Sequence, residues 1–197
     1  MKNHIDEYLQ GSFTVLENLK KDEDIKNMIL QVVDTIYKTI NDGKKILIVG
    51  NGGSAADAQH LAAEFVVRYK KDRIALPALA LTTDTSVLTA SGNDYSFVDI
   101  FARQIDALGN SGDILILFST SGKSKNIHKA ANIAKQKDIK NILLTGSQKF
   151  CSSELLDIEI NIPSDVTSYI QECHLKIIHL ICYLIDYKYN EKLIKYK

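Results

Sequence analysis

Three short apolar runs constrain this chain more than any other feature: Ile46-Leu47-Ile48-Val49, Ile114-Leu115-Ile116-Leu117-Phe118 and Ile142-Leu143-Leu144. Each is unbroken by polar residues and too short to read as a helix. A strand that is apolar at every position has to be covered on both faces, the condition met in the parallel sheets of α/β proteins. From residue 43 onward the pattern alternates. Strands are predicted at 45–49, 78–81, 113–118, 140–144 and 158–162. Helices are predicted at 54–67, over a region of about 84–108 interrupted at Gly92-Asn93-Asp94, at 124–137 and from about 166 to 187. Strands alternating with helices predict a parallel sheet with helices on both sides, which binds ligands beyond the carboxyl ends of its strands.

Residues 1–42 read as a helical hairpin. In the second helix Ile25, Met28, Ile29, Val32, Val33, Ile36, Tyr37 and Ile40 recur at spacings of three and four, and Asn41-Asp42-Gly43 supplies the stop. The first helix carries a weaker stripe of Ile5, Tyr8, Leu9, Phe13, Leu16 and Leu19, and Lys20 to Asp24 forms the break. The hairpin can pack on its own domain or on another subunit, and the second is preferred, because two helices are well shaped for a four-helix interface. Pro77 and Pro163 are the only prolines and no low-complexity linker appears, so the 197 residues read as one domain with a helical arm.

Charge and cysteine usage narrow the function. Lys+Arg and Asp+Glu balance at 24 each, and Arg68, Arg73 and Arg103 are the only arginines, which gives no electrostatic case for nucleic acid. Met1 to Gln10 is polar and does not read as a signal peptide. The longest apolar run, Ile177 to Ile185, is interrupted by His179 and falls far short of the roughly 20 residues that cross a bilayer. Cys151, Cys173 and Cys182 are odd in number and lack metal-type spacing, so reduced thiols in a cytoplasmic protein are expected.

Two turns carry candidate chemistry. Gly50-Asn51-Gly52-Gly53-Ser54-Ala55 follows the first strand and opens a helix, where backbone N–H groups and the positive end of the helix dipole suit an anion. A tight βα turn explains the glycines equally well. A dinucleotide site would want an acidic residue about 20 positions on, and Asp84 lies well beyond that. No Lys follows the glycines, so the turn is not a P-loop. Ser119-Thr120-Ser121-Gly122-Lys123-Ser124 is more telling. One helix cap does not need four hydroxyls, whereas a phosphate monoester has three oxygens to satisfy. His60 and Glu64, at i and i+4, face one metal, one substrate or simply each other. The final helix adds Gln171, Glu172, His174 and His179, the last within an apolar stripe.

Taken in order, Gly50 to Ser54, Asp57-Ala58-Gln59-His60 with Glu64, Gly92-Asn93-Asp94, Ser119 to Ser124, Ile170-Gln171-Glu172 and His174 to His179 resemble the sedoheptulose-7-phosphate isomerases (phosphoheptose isomerases) of the sugar-isomerase (SIS) group. The likeness runs over nearly the whole chain. It implies a three-layer αβα SIS domain with a five-stranded parallel sheet. It also implies a homotetramer with active sites at subunit interfaces, and one Zn2+ per subunit. The implied activity interconverts sedoheptulose 7-phosphate and D-glycero-D-manno-heptose 7-phosphate, towards the heptoses of lipopolysaccharide core or capsule. The zinc ligands would be His60, Glu64, Gln171 and His179. The sugar-phosphate contacts would be Asn51, Gly52, Gly53, Glu64, Asn93, Asp94, Ser119, Thr120, Ser121, Ser124 and Gln171. The sequence departs at Val67, where the family usually has Gly, and at Tyr169, where an Arg commonly precedes Ile-Gln-Glu. Both flank the site and bear on sugar choice more than on reaction type.

Ketose–aldose isomerisation moves a proton between C1 and C2 through an enediol, and so needs a base, an acid and a stabilised oxyanion. Glu64 is expected as the base and His179 as the acid that serves O1 and O2, with zinc polarising the carbonyl. Gln171 and His179 are separated by about 12 Å of helix rise and about 80° of rotation. Either that helix bends or different subunits supply the two ligands, and the second is preferred. Three rivals remain: a non-catalytic SIS adaptor of the replication initiator, which would not need the complete ligand set; a sugar-phosphate-sensing regulator; and a Rossmann-type oxidoreductase.

Overall fold

The computed structural model describes residues 1–195 and the side chains of residues 1–189. Two helices, α1 (Lys2–Lys21) and α2 (Glu23–Asn41), precede β1 (Ile46–Gly50) and α3 (Gly53–Val66). Then follow β2 (Ala78–Ala80), α4 (Thr85–Asp94), α5 (Ala102–Leu108), β3 (Ile114–Ser119), α6 (Lys125–Gln136), β4 (Lys140–Thr145), β5 (Ile158–Asn161) and α7 (Thr167–Lys195). The five strands pair in parallel in the order β2-β1-β3-β4-β5.

Strand alternation divides the core into two layers. Ile46, Ile48, Ile114, Ile116, Phe118, Ile142 and Leu144 face α2, α3 and α7. Leu47, Val49, Leu115, Leu117 and Leu143 face α5 and α6. The three-layer αβα arrangement with its parallel five-stranded sheet is the one expected, because runs that are apolar at every position have helices to meet on both sides.

Two boundaries correct the sequence reading. The break between the first two helices is a single residue, Asp22, whose carboxylate accepts from the Ile25 amide and caps α2. Helix α2 buries Ile25, Ile29, Val32, Val33, Ile36 and Ile40 in the core of its own chain, so this half of the hairpin packs on the domain. The helical region at 84–108 breaks at 95–101, not at Gly92-Asn93-Asp94, which form the last turn of α4. One glycine costs a helix only about 1 kcal/mol and does not compel an end. Asp84, the nearest acidic candidate for a ribose, instead accepts from the Val87 amide as the cap of α4.

Candidate active site

Strand order reverses direction between β1 and β3, and α/β sheets open their ligand crevice at such a point. Gly50 and Phe118 are register partners there, so the turns leaving β1 and β3 lie side by side. Asn51 and Asn126 join them through two reciprocal side-chain amide bonds of 2.9 and 2.8 Å. In the second turn Ser119 is buried and donates to Ser124 Oγ at 3.4 Å, and the Lys123 amide donates to Ser121 Oγ at 3.2 Å. Thr120 uses its carbonyl to accept from the Gly146 amide. His128, stacked on Phe150 with ring centroids 3.8 Å apart, sits 2.9 Å from the Gly122 carbonyl through Nε2 and braces the turn from behind. Helix α6 begins at Lys125, so its first-turn amides open towards the same crevice.

Helices α3 and α7 run side by side in the same direction. At their amino ends the Gln171 carboxamide occupies the space beside Gly53: a Cβ there would lie 2.7 Å from Nε2 and 2.8 Å from Oε1. A side chain at position 53 would therefore have to displace the Gln171 carboxamide. About two turns further along, His60 Nε2 lies 3.0 Å from His179 Nε2 and 3.2 Å from Glu64 Oε1. One ligand atom from each of His60, Glu64 and His179 falls within 4.8 Å of the others, the one such group of His, Cys, Asp and Glu side chains among the described residues. The Tyr69 ring stacks on His179 at 5.5 Å. Desolvation, and then the neighbouring His60, hold the His179 imidazole below its usual pKa. Burial pushes the Asp57 carboxyl, one turn before His60, up to about 6, with His60 opposing.

Two imidazole nitrogens 3.0 Å apart can share only one proton between them. The carboxylate on the same nitrogen completes a cluster of lone pairs that a cation satisfies better than hydrogen bonds do. Two neutral imidazoles and a carboxylate are a donor set that suits zinc.

Asn93 and Asp94 lie on the last turn of α4, exposed, with the Asn93 amide donating to Asp94 Oδ1. Asp94 also lines a groove of about 770 Å³ between β2, α4 and α5. Sequence reasoning missed Asn126, His128, Tyr69 and Arg73, whose roles arise from contacts distant along the chain. Of these, only Asn126 carried a usable signal, as a polar residue two positions after the hydroxyl-rich turn.

The SIS domain family matches residues 7–146. A phosphoheptose isomerase of Aneurinibacillus thermoaerophilus is 47% identical over 186 residues, with 94% of each chain covered. A phosphoheptose isomerase 2 of Campylobacter jejuni is 46% identical over 187 residues, covering 93% of each. Among solved structures, a phosphoheptose isomerase from Neisseria gonorrhoeae superposes with a TM-score of 0.87 at 38% identity, covering 94% of this chain and 98% of that one. One from Francisella tularensis gives 0.89 at 36% identity, covering 93% and 97%.

Proposed function

We infer the function from one premise: the chain belongs to the phosphoheptose isomerase family of SIS-domain proteins. It is a sugar-phosphate isomerase that interconverts sedoheptulose 7-phosphate and D-glycero-D-manno-heptose 7-phosphate, in heptose biosynthesis for lipopolysaccharide core or capsule. The observation that carries this reading is the convergence of His60, Glu64 and His179 on one point. A non-catalytic adaptor has no use for it.

The substrate phosphate is held by Ser119, Thr120, Ser121 and Ser124 with the amides that open α6. Asn51, Gly52, Gly53, Asn93, Asp94, Glu64 and Gln171 contact the sugar phosphate. Glu64 takes the proton from one of C1 and C2 and returns it to the other. His179 gives a proton to the carbonyl oxygen and takes one from the neighbouring hydroxyl. His60, Glu64 and His179, completed by Gln171, would hold one Zn2+, which when bound polarises the carbonyl as a Lewis acid.

Residues 1–197 act as one SIS domain, with 1–42 contributing to assembly and 43–197 forming the isomerase core. The assembly is a homotetramer in which different subunits supply Gln171 and His179 to one site. The described residues include no helix long and apolar enough to cross a membrane, and the protein works in the cytoplasm.

Purified protein given sedoheptulose 7-phosphate should form the aldose, and a chelator should suppress the reaction. Glu64→Gln and His179→Ala should each lower turnover by at least about 100-fold, the low end of what acid–base groups contribute, while inorganic phosphate still binds. Turnover retained by either variant would remove that residue from the catalytic pair.

A further inference from the structure

We propose that Arg73 and Asp186 are positioning residues that set the distance between Glu64 and His179, a proposal that rests on the reading of those two as the catalytic pair. Only 2% of either side chain is exposed, and Arg73 Nε donates to Asp186 Oδ1 at 2.9 Å. The rest of the guanidinium is spent on backbone carbonyls. Nη2 donates to the Glu64 carbonyl at 2.7 Å, and Nη1 donates to those of Phe65 at 2.9 Å and Ile74 at 3.0 Å. The carbonyls of Glu64 and Phe65 belong to the last turn of α3, where a helix leaves such groups without intrahelical partners. Arg73 is thus a cap on the turn that carries Glu64.

Asp186 completes the tie. Its Oδ2 accepts from the amides of Lys70 and Lys71 at 2.9 and 3.0 Å, which fixes the segment just after Tyr69, the ring stacked on His179. Asp186 follows His179 by seven residues on α7, so both face the same side of that helix within about 20°. One ion pair therefore joins α3 at Glu64, the 69–73 segment and α7 below His179.

Stability alone does not explain such a pair. A buried, fully hydrogen-bonded ion pair is often matched or bettered by apolar residues of similar volume. What apolar residues cannot supply is direction: a planar fork and a carboxylate that select particular carbonyls and amides. Misplacing a catalytic group by about 1 Å can cost about 100-fold in rate. The phosphate turn lies at the other end of the α3–α7 pair and is not held by this network.

The test compares kcat, KM and thermal melting of wild type, Arg73→Lys, the apolar double variant Arg73→Met/Asp186→Leu, and Glu64→Gln, using sedoheptulose 7-phosphate. Arg73→Lys keeps the charge but loses the fork. It should remain folded, lose about 10- to 100-fold in kcat and keep KM within about two-fold. The double variant should melt no lower than Arg73→Lys and stay slow. Wild-type kcat in the double variant, or a loss in Arg73→Lys that only follows the folded fraction, would overturn the proposal even with Glu64→Gln inactive. Turnover retained by Glu64→Gln would instead remove the premise, and the proposal with it.

Discussion

His174 shows how a residue legible as chemistry in the sequence becomes structural in the fold. It stands three residues after Gln171 on α7, yet its ring is fully buried against Phe118. Nε2 sits 3.3 Å from the Thr145 carbonyl, while Nδ1 is buried with no hydrogen-bond partner. Burial pushes its pKa down to about 4, so the folded protein holds it neutral. The unfolded chain takes up this proton below about pH 6.5 and the folded one does not until about pH 4. The contribution to stability is therefore complete above 6.5 and is lost as pH falls from 6.5 to 4. Urea unfolding should show the gap between wild type and His174→Gln shrinking by about 2 kcal/mol from pH 7 to pH 5. A gap that does not change with pH would mean the ring is hydrated or charged in the fold. Gly53 makes the complementary point: in the sequence it is one of three turn glycines, and only the structure shows the Gln171 carboxamide filling the space beside it.

Helix α1 is shallowly buried, with only Val15 and Leu19 of its 20 residues in the core. Its first half is held to α7 by polar and aromatic contacts. The Tyr8 hydroxyl donates to Glu172 Oε1 at 3.2 Å, and Ser12 donates to the other carboxylate oxygen. The Tyr169 ring meets Tyr8 edge-on at 5.0 Å and lies over Gly11, where a Cβ would fall 2.6 Å from its hydroxyl. Tyr169 is one of the two positions where the resemblance leads one to expect a different residue, and a glycine inside a helix, costing about 1 kcal/mol, gives it room. Glu172→Ala should raise amide hydrogen exchange across residues 2–14 and leave α2 protected. Exchange unchanged in α1 would show that the aromatic contact alone docks it. The sequence distinguished the two helices by the strength of their stripes, and that difference is real: α2 lies in the core and α1 on its edge. It could not place the break after α4, because Gly92 resembles an interruption whereas the Tyr95 and extended Ser96 backbone that form the real one have no composition signal.

For the whole molecule, the exposed apolar surface is the feature left to account for. Ile5, Leu9 and Phe13 line one face of α1 at intervals of four, and Leu180, Tyr183 and Tyr187 stand exposed on α7. Under the proposed tetramer these faces meet other subunits. Ile5→Glu/Phe13→Glu should lower the sedimentation mass, and isomerase activity per subunit should fall with it. A monomer with full activity would exclude a site shared between subunits.

The sequence by itself determined the αβα architecture and the strand ends from which function is built. Uninterrupted apolar runs admit only a sheet covered on both faces, and turn chemistry at strand ends is local. It also marked His60, Glu64 and His179 as a set, though through resemblance and not through spacing, since 115 residues separate Glu64 from His179. Only the tertiary structure decided that α3 and α7 lie side by side in the same direction, bringing the three together and laying Gln171 on Gly53. It alone decided that one of three arginines is buried. Whether an arginine meets water or an aspartate 113 positions away depends on which helix packs beside it, and no pattern along the chain records that.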